Sequence, residues 1–229
     1  MGFTSLLWIF FVAGFVGVVL ETIYCSVWVR RGALELRFGI LYVPVNPMYG
    51  GAAVILTVLL TPLASSPILV VVAGLVLCSA IEYAVSVWLE RAFGLVFWDY
   101  HGKFLNLHGR ICLESALVWG GLSLLLIGFI NPATLALASM VPRSVGDAVL
   151  IVLVVATAAG AMITIAAFRR IKRRITAWER SGTGYRTDIP ETAADRLIHR
   201  LAPDRAIALY FAFASLPARY LELAKAHPG

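Results

Sequence analysis

Long apolar runs broken by short polar stretches set the pattern of this chain. The first run covers about residues 6–29, and Arg30 and Arg31 end it. The mixed stretch 32–47 carries Pro44 and Pro47. Proline removes a backbone donor and breaks helix, so this stretch reads as a loop or re-entrant piece ending at Asn46-Pro47-Met48-Tyr49-Gly50-Gly51. Further apolar runs follow at about 48–63, 68–89, 111–130 and 148–168. A helix needs roughly 20 residues to cross about 30 Å of hydrocarbon, and the pattern therefore predicts an all-α polytopic integral membrane bundle of about five transmembrane helices. Asn131-Pro132 is expected to end the fourth of these, leaving 133–142 as a short apolar stretch at the interface.

The chain changes character after the fifth run. Residues 1–174 read as the transmembrane helical domain and 175–229 as a cytoplasmic tail. The tail opens with a polar linker, and from Glu191 the spacing is amphipathic, with Leu197, Ile198 and Leu201 on one helical face and Arg196 and Arg200 on another. Residues 206–218 are strongly apolar but too short to span, which suits an interfacial helix on the cytoplasmic leaflet.

Basic residues fix an expected orientation. Arg30, Arg31 and Arg37 follow the first run, Arg91, Lys103 and Arg110 lie between the third and fourth, and the block Arg169 to Arg174 follows the fifth. Five crossings place all three groups on one side, and the positive-inside rule makes that side cytoplasmic, with the N-terminus outside. The first run lacks a basic n-region and reads as a retained span rather than a cleaved signal.

Composition agrees. Of 229 residues, 60% are hydrophobic, against about 45–50% in an average soluble domain, and the mean hydropathy is +0.86. The net charge of +6 is concentrated in the block after the fifth run, where it suits anionic headgroups; no nucleic-acid-binding motif accompanies it. Three cysteines, Cys25, Cys78 and Cys112, lie in or beside apolar runs. An odd count there speaks against a disulfide framework and for small buried hydrophobes.

Candidate chemistry collects around residues 78–121. Glu82, Glu90 and Glu114 sit within the apolar flanks, and the loop between them carries Trp98, Asp99, Tyr100, His101, Lys103, Asn106, His108 and Arg110. Glu82 and Glu90, eight residues apart, share a helical face, and Glu21 lies late in the first run. An unpaired carboxylate in hydrocarbon costs at least roughly 2.5–3.5 kcal/mol, so such groups share partners or water. The expectation is one cytoplasm-facing polar pocket built by Glu21, Glu82, Asp99 and Arg110, with Glu90, Tyr49, Asn106 and Trp98 around it and Arg110 as the counter-charge of the acids. Asp99, His101, His108 and Cys112 are metal-ligand types, but their spacing matches no standard motif, and neither a metal nor a cofactor is assigned. No Walker A loop, nucleophile elbow, dinucleotide fingerprint or HExxH occurs.

The ordered set Leu20-Glu21-x-x-Tyr24-Cys25, Asn46-Pro47-Met48-Tyr49-Gly50-Gly51, Glu82-Tyr83, Leu89-Glu90, Trp98-Asp99-Tyr100 and Asn106-Leu107-x-Gly109-Arg110-Ile111-Cys112 resembles the bacterial "putative ABC-transporter type IV" permease family, CmpB type, over about residues 6–130. Asn46 stands where members usually carry Cys. The resemblance implies a permease subunit in the cell membrane that takes a solute or headgroup in its polar pocket and works with a separate ATPase or other membrane subunit. Two other readings stay open on the residues alone. One is a membrane-embedded enzyme acting on a lipid or lipid-linked substrate, with carboxylates as acid and base and Arg110 on a phosphate. The other is a non-catalytic scaffold or regulator.

Overall fold

The computed structural model describes residues 1–24, 26, 39–181 and 193–202, and among them every regular element is a helix. Cys25, Arg30, Arg31, Arg37, the polar linker and the apolar stretch 206–218 lie outside the described residues.

Helix α1 (Phe3–Tyr24) is apolar throughout. Its two inner glycines let the following segment come close. Asn46 N–H donates to the Gly14 carbonyl at 3.0 Å, and a Cβ on Gly17 would stand 2.3 Å from Cγ of Tyr49. Helix α2 (Pro47–Leu60) starts where the sequence provides a start. Pro47 occupies the first turn, where its missing N–H costs nothing, and the Asn46 side chain caps the helix by accepting from Met48 N–H at 3.0 Å. A 3-10 turn, Thr61–Leu63, ends it. Helix α3 (Pro67–Phe93) again opens on proline and closes on Gly94, whose φ of +67° suits the left-handed cap and whose N–H reaches the Glu90 carbonyl at 2.7 Å.

The next crossing departs from expectation. Helix α4 (Leu113–Leu125) is capped by Cys112 and Ser115, widens into a π turn at Leu126–Ile130 and continues through Asn131-Pro132 as α5 (Asn131–Met140). Leu113–Met140 is thus one apolar helical crossing. The ring of a mid-helix proline clashes with the preceding turn and removes one hydrogen bond; the π turn just before it absorbs that disruption. Asn131 does not stop the helix but faces inward, donating to Thr57 Oγ1 of α2 at 2.9 Å. Residues 133–140 are accordingly the end of the fourth crossing and not an interfacial piece.

Helix α6 (Arg143–Ser181) has 39 residues, about 58 Å at 1.5 Å per residue. The basic block 169–174 extends this helix rather than ending it. Helix α7 (Ala193–Leu201) docks on its far end. Arg173 pairs with Asp195, buried Arg170 donates to the Ala202 carbonyl at 2.8 Å, and the Tyr42 hydroxyl donates to the Leu201 carbonyl. The amphipathic pattern is realised with a changed face: Ile198 packs against the core, while Leu197 and Leu201 are exposed.

Among the described residues four helices are long and apolar enough to cross a membrane: Phe3–Tyr24, Pro67–Phe93, Leu113–Met140 and Arg143–Arg174. The shorter apolar helix Pro47–Leu63 runs back along α1 from the Asn46 end to Leu60, which packs beside Ile9 and Val70. The all-α membrane bundle read from the sequence is therefore present, with four full-length helices and one short one where five spans were expected. Its core is formed by Ile9 and Ala13 of α1, Ala53 and Leu56 of α2, Val70 and Cys78 of α3, and Leu126. A second cluster, Leu41, Phe93, Leu95, Phe168 and Ile171, ties α6 to the end of α3.

Candidate functional site: the polar end of the bundle

The C-terminal ends of α1, α3 and the apolar part of α6 meet the N-terminal ends of α2 and α4 at one end of the bundle, and the polar residues gather there. The segment joining α3 to α4, residues 94–112, is a compact hydrogen-bonded cap. Tyr100 N–H donates to the Gly109 carbonyl at 2.8 Å, Lys103 N–H to Tyr100 at 2.8 Å, Leu107 N–H to Ile111 at 2.9 Å and Arg110 N–H to Leu107 at 3.0 Å. Asn106 cross-links this cap from its centre. Its amide donates to the carbonyls of His101 and Lys103 at 3.1 and 3.0 Å, and its Oδ1 accepts from Gly109 N–H at 3.1 Å. Gly109 has φ +67°, and a Cβ there would lie 2.2 Å from the His101 ring, so two independent constraints require glycine.

Glu82, on α3, is 4% exposed. It accepts from Trp119 Nε1 of α4 at 3.1 Å and from the Tyr100 hydroxyl at 3.2 Å, and it is also hydrogen-bonded by Ser115. All three partners are neutral donors. Burial, and then the adjacent Glu82 carboxylate, push the Tyr100 phenol above its ordinary range. Tyr49 extends the cluster, its ring centroid 5.2 Å from that of Trp119.

Arg110 forms a second group. Its guanidinium donates to Ser86 Oγ at 2.9 Å and pairs with Glu90, its Cζ lies 5.9 Å over the Tyr83 ring, and its carbonyl accepts from Trp98 Nε1 at 2.9 Å. Glu82, Ser86 and Glu90 are spaced by four along α3 and make one stripe, of which Arg110 takes the outer two positions. The counter-charge of Arg110 is thus Glu90; the deeper Glu82 is held by hydroxyl and indole donors instead. The reason is reach. The cap places Arg110 beside the last two turns of α3, level with Glu90.

The remaining predicted residues form their own pairs. Asp99 is exposed and accepts from His101 N–H at 2.9 Å and from His101 Nδ1 at 2.5 Å. The backbone donor first, and then the imidazole, hold its carboxyl below the usual range. Glu21 of α1 accepts from Asn46 Nδ2 at 2.8 Å, so Asn46 joins α1 to α2 while capping the latter. Lys103 pairs with Glu114 at 2.8 Å. Tyr83 and His108 share a hydrogen bond of 2.9 Å. Glu82, Asp99 and Arg110 each close on different partners, so the acid, base and phosphate-holding trio of the enzyme reading is not assembled by these contacts. Among the described residues no group of three or more His, Cys, Asp and Glu side chains is arranged to hold a metal.

Several participants escaped the sequence reading. Ser86 was findable, since it lies midway between two acids already placed on one face. Trp119, Ser115 and the hydroxyl of Tyr100 carried no such signal, because an indole in an apolar run and an aromatic in a loop both suit an interfacial position.

Comparison with known proteins gives one match. The model of the family described as "Putative ABC-transporter type IV" matches residues 8–165, and the chain belongs to that family. The match runs beyond the residue-130 limit expected from the motifs and takes in most of the apolar part of α6. No curated protein and no solved structure matches.

Proposed function

We propose that this chain, as a member of that family, is the membrane-embedded subunit of a transport system in the cell membrane, and that its polar end faces the cytoplasm and receives a solute or headgroup at Glu82. In this reading Asp99, Arg110, Glu21, Glu90, Tyr49, Asn106 and Trp98 belong to the same polar end and shape the approach to Glu82. One observation carries the reading: a carboxylate almost fully buried in a membrane-crossing helix and held, among the described residues, by neutral donors. Ionisable groups at such depth are costly and mark pathways for ions, protons or charged ligands. Among the described residues, ion pairing does not account for Glu82, because Arg110 is engaged by Glu90. The sequence has no ATP-binding loop, so the energy comes from a separate ATPase or from an ion gradient.

The test is isolation of the tagged chain from its native membrane in mild detergent, with ATP hydrolysis and proton flux in proteoliposomes as readouts. An ATPase polypeptide should accompany the chain, and Glu82→Gln should alter turnover without releasing that partner. Recovery of the chain alone, with neither hydrolysis nor flux, overturns the proposal. A reporter fused after Arg174 checks orientation and should be cytoplasmic.

A further inference from the structure

Away from the polar end, a cavity of about 460 Å³ lies between α6 and the pair α1 and α3. This is within the roughly 300–1,000 Å³ of small-molecule sites. Its walls are hydrocarbon: Leu7 and Phe11 of α1, Leu89 and Phe93 of α3, and Ala161 and Phe168 of α6. It is elongated, following α6 from Val154 to Phe168, about 21 Å at 1.5 Å per residue. Water does not fill an apolar cavity, and an empty one forfeits dispersion contacts along its whole lining. The three helices around it are all long and apolar enough to cross a membrane.

One end of the cavity is charged. One turn beyond Phe168 on the same face of α6 stands Lys172, whose ammonium donates to the Ala92 carbonyl at the C-terminus of α3 at 3.2 Å. Exposed Arg169 lies beside it. A long apolar slot with cations beyond one end and, among the described residues, none along its walls matches one ligand shape. We infer that the cleft between α6 and α1/α3 is a binding site for one acyl chain of an anionic phospholipid, with the headgroup phosphate at Lys172 and Arg169. This inference does not depend on the transport reading.

One lining atom gives the test its edge. Thr157 Oγ1 is buried in the cavity wall without a hydrogen-bond partner among the described residues. A plain acyl chain offers it nothing, so Thr157→Val should preserve or increase occupancy. The experiment places the full chain in nanodiscs containing a trace of phosphatidylglycerol with a diazirine in one acyl chain, followed by irradiation and peptide mapping. Labelling should concentrate several-fold on the Ala161 and Phe168 face over the outward residues Val152 and Val155. Ala161→Phe should remove the inner labelling and leave the outer labelling. A phosphatidylcholine probe should label the cleft less. Uniform labelling around α6 overturns the site. Equal labelling by the two probes overturns the anionic assignment. Loss of labelling in Thr157→Val overturns the acyl chain in favour of a ligand with a hydrogen-bonding group at that depth. Should Ala161→Phe fail to fold, the inner-to-outer ratio in the unmodified chain and in Thr157→Val still decides.

Discussion

The indole N–H of Trp119 on α4 donates to the Glu82 carboxylate on α3 at 3.1 Å, so the most buried acid among the described residues is also a link between two closely packed helices. Removing the donor while keeping an aromatic ring isolates that link. Trp119→Phe should lower stability by roughly 1–3 kcal/mol, the cost of leaving a buried acceptor short of a partner. The same change in a Glu82→Leu background should cost clearly less, since interacting residues are not additive. Thermal denaturation in detergent measures both, and equal losses in the two backgrounds would sink the link.

Arg110 joins the cap to α3 through Ser86 and Glu90. Because Glu90 is 44% exposed, solvent screens the pair, and Arg110→Ala should cost only about 1 kcal/mol. Arg110→Lys should recover little of it, because one ammonium does not reproduce a planar fork holding two partners. Glu90→Gln combined with Arg110→Ala should be less than additive. A loss several times larger than this would place Arg110 in a more buried network than the one described.

The Tyr100 phenol is held above its ordinary range by burial and by Glu82. The unfolded chain releases this proton near pH 10, whereas the folded protein keeps it. Above about pH 10 the unfolded state therefore binds fewer protons than the folded state, and stability falls as pH rises. Melting temperature measured between about pH 9 and 11 should decline, and Tyr100→Phe should flatten that decline even though its midpoint starts lower. A mutant slope equal to that of the parent would show that Tyr100 does not titrate as described.

Asn131 donates to Thr57 across the interior at 2.9 Å. Hydrogen bonds between membrane helices average about 0.6 kcal/mol and reach about 1.7. Asn131→Ala and Thr57→Val should each cost about that much, and the double variant hardly more than either alone. By contrast, Pro132→Ala should be neutral or stabilising, since it restores a missing donor to a continuous helix. A large loss from Pro132→Ala would mean that the π turn is needed in its own right.

The apolar runs by themselves determined that the chain is an all-helical membrane bundle, because in hydrocarbon each helix must satisfy its own backbone and advertise its length in sequence. They also led to the expectation of the acids and Arg110 at one end, since each crossing brings the end of one run beside the start of the next. Proline as a helix breaker was a sound guide before α2, where Pro47 closes the loop and opens the helix, and a misleading one at Pro132, because a local π turn and a partner for Asn131 on α2 override a stop signal that sequence reads in isolation. Pairing was decided only by tertiary structure. Arg110 meets Glu90 rather than Glu82, and Trp119 and Tyr100 take the inner acid, because partner choice depends on how the cap folds over α3 and on the rotation of α4. Helical spacing states which residues share a face; which neighbour stands opposite that face is a property of the assembled bundle.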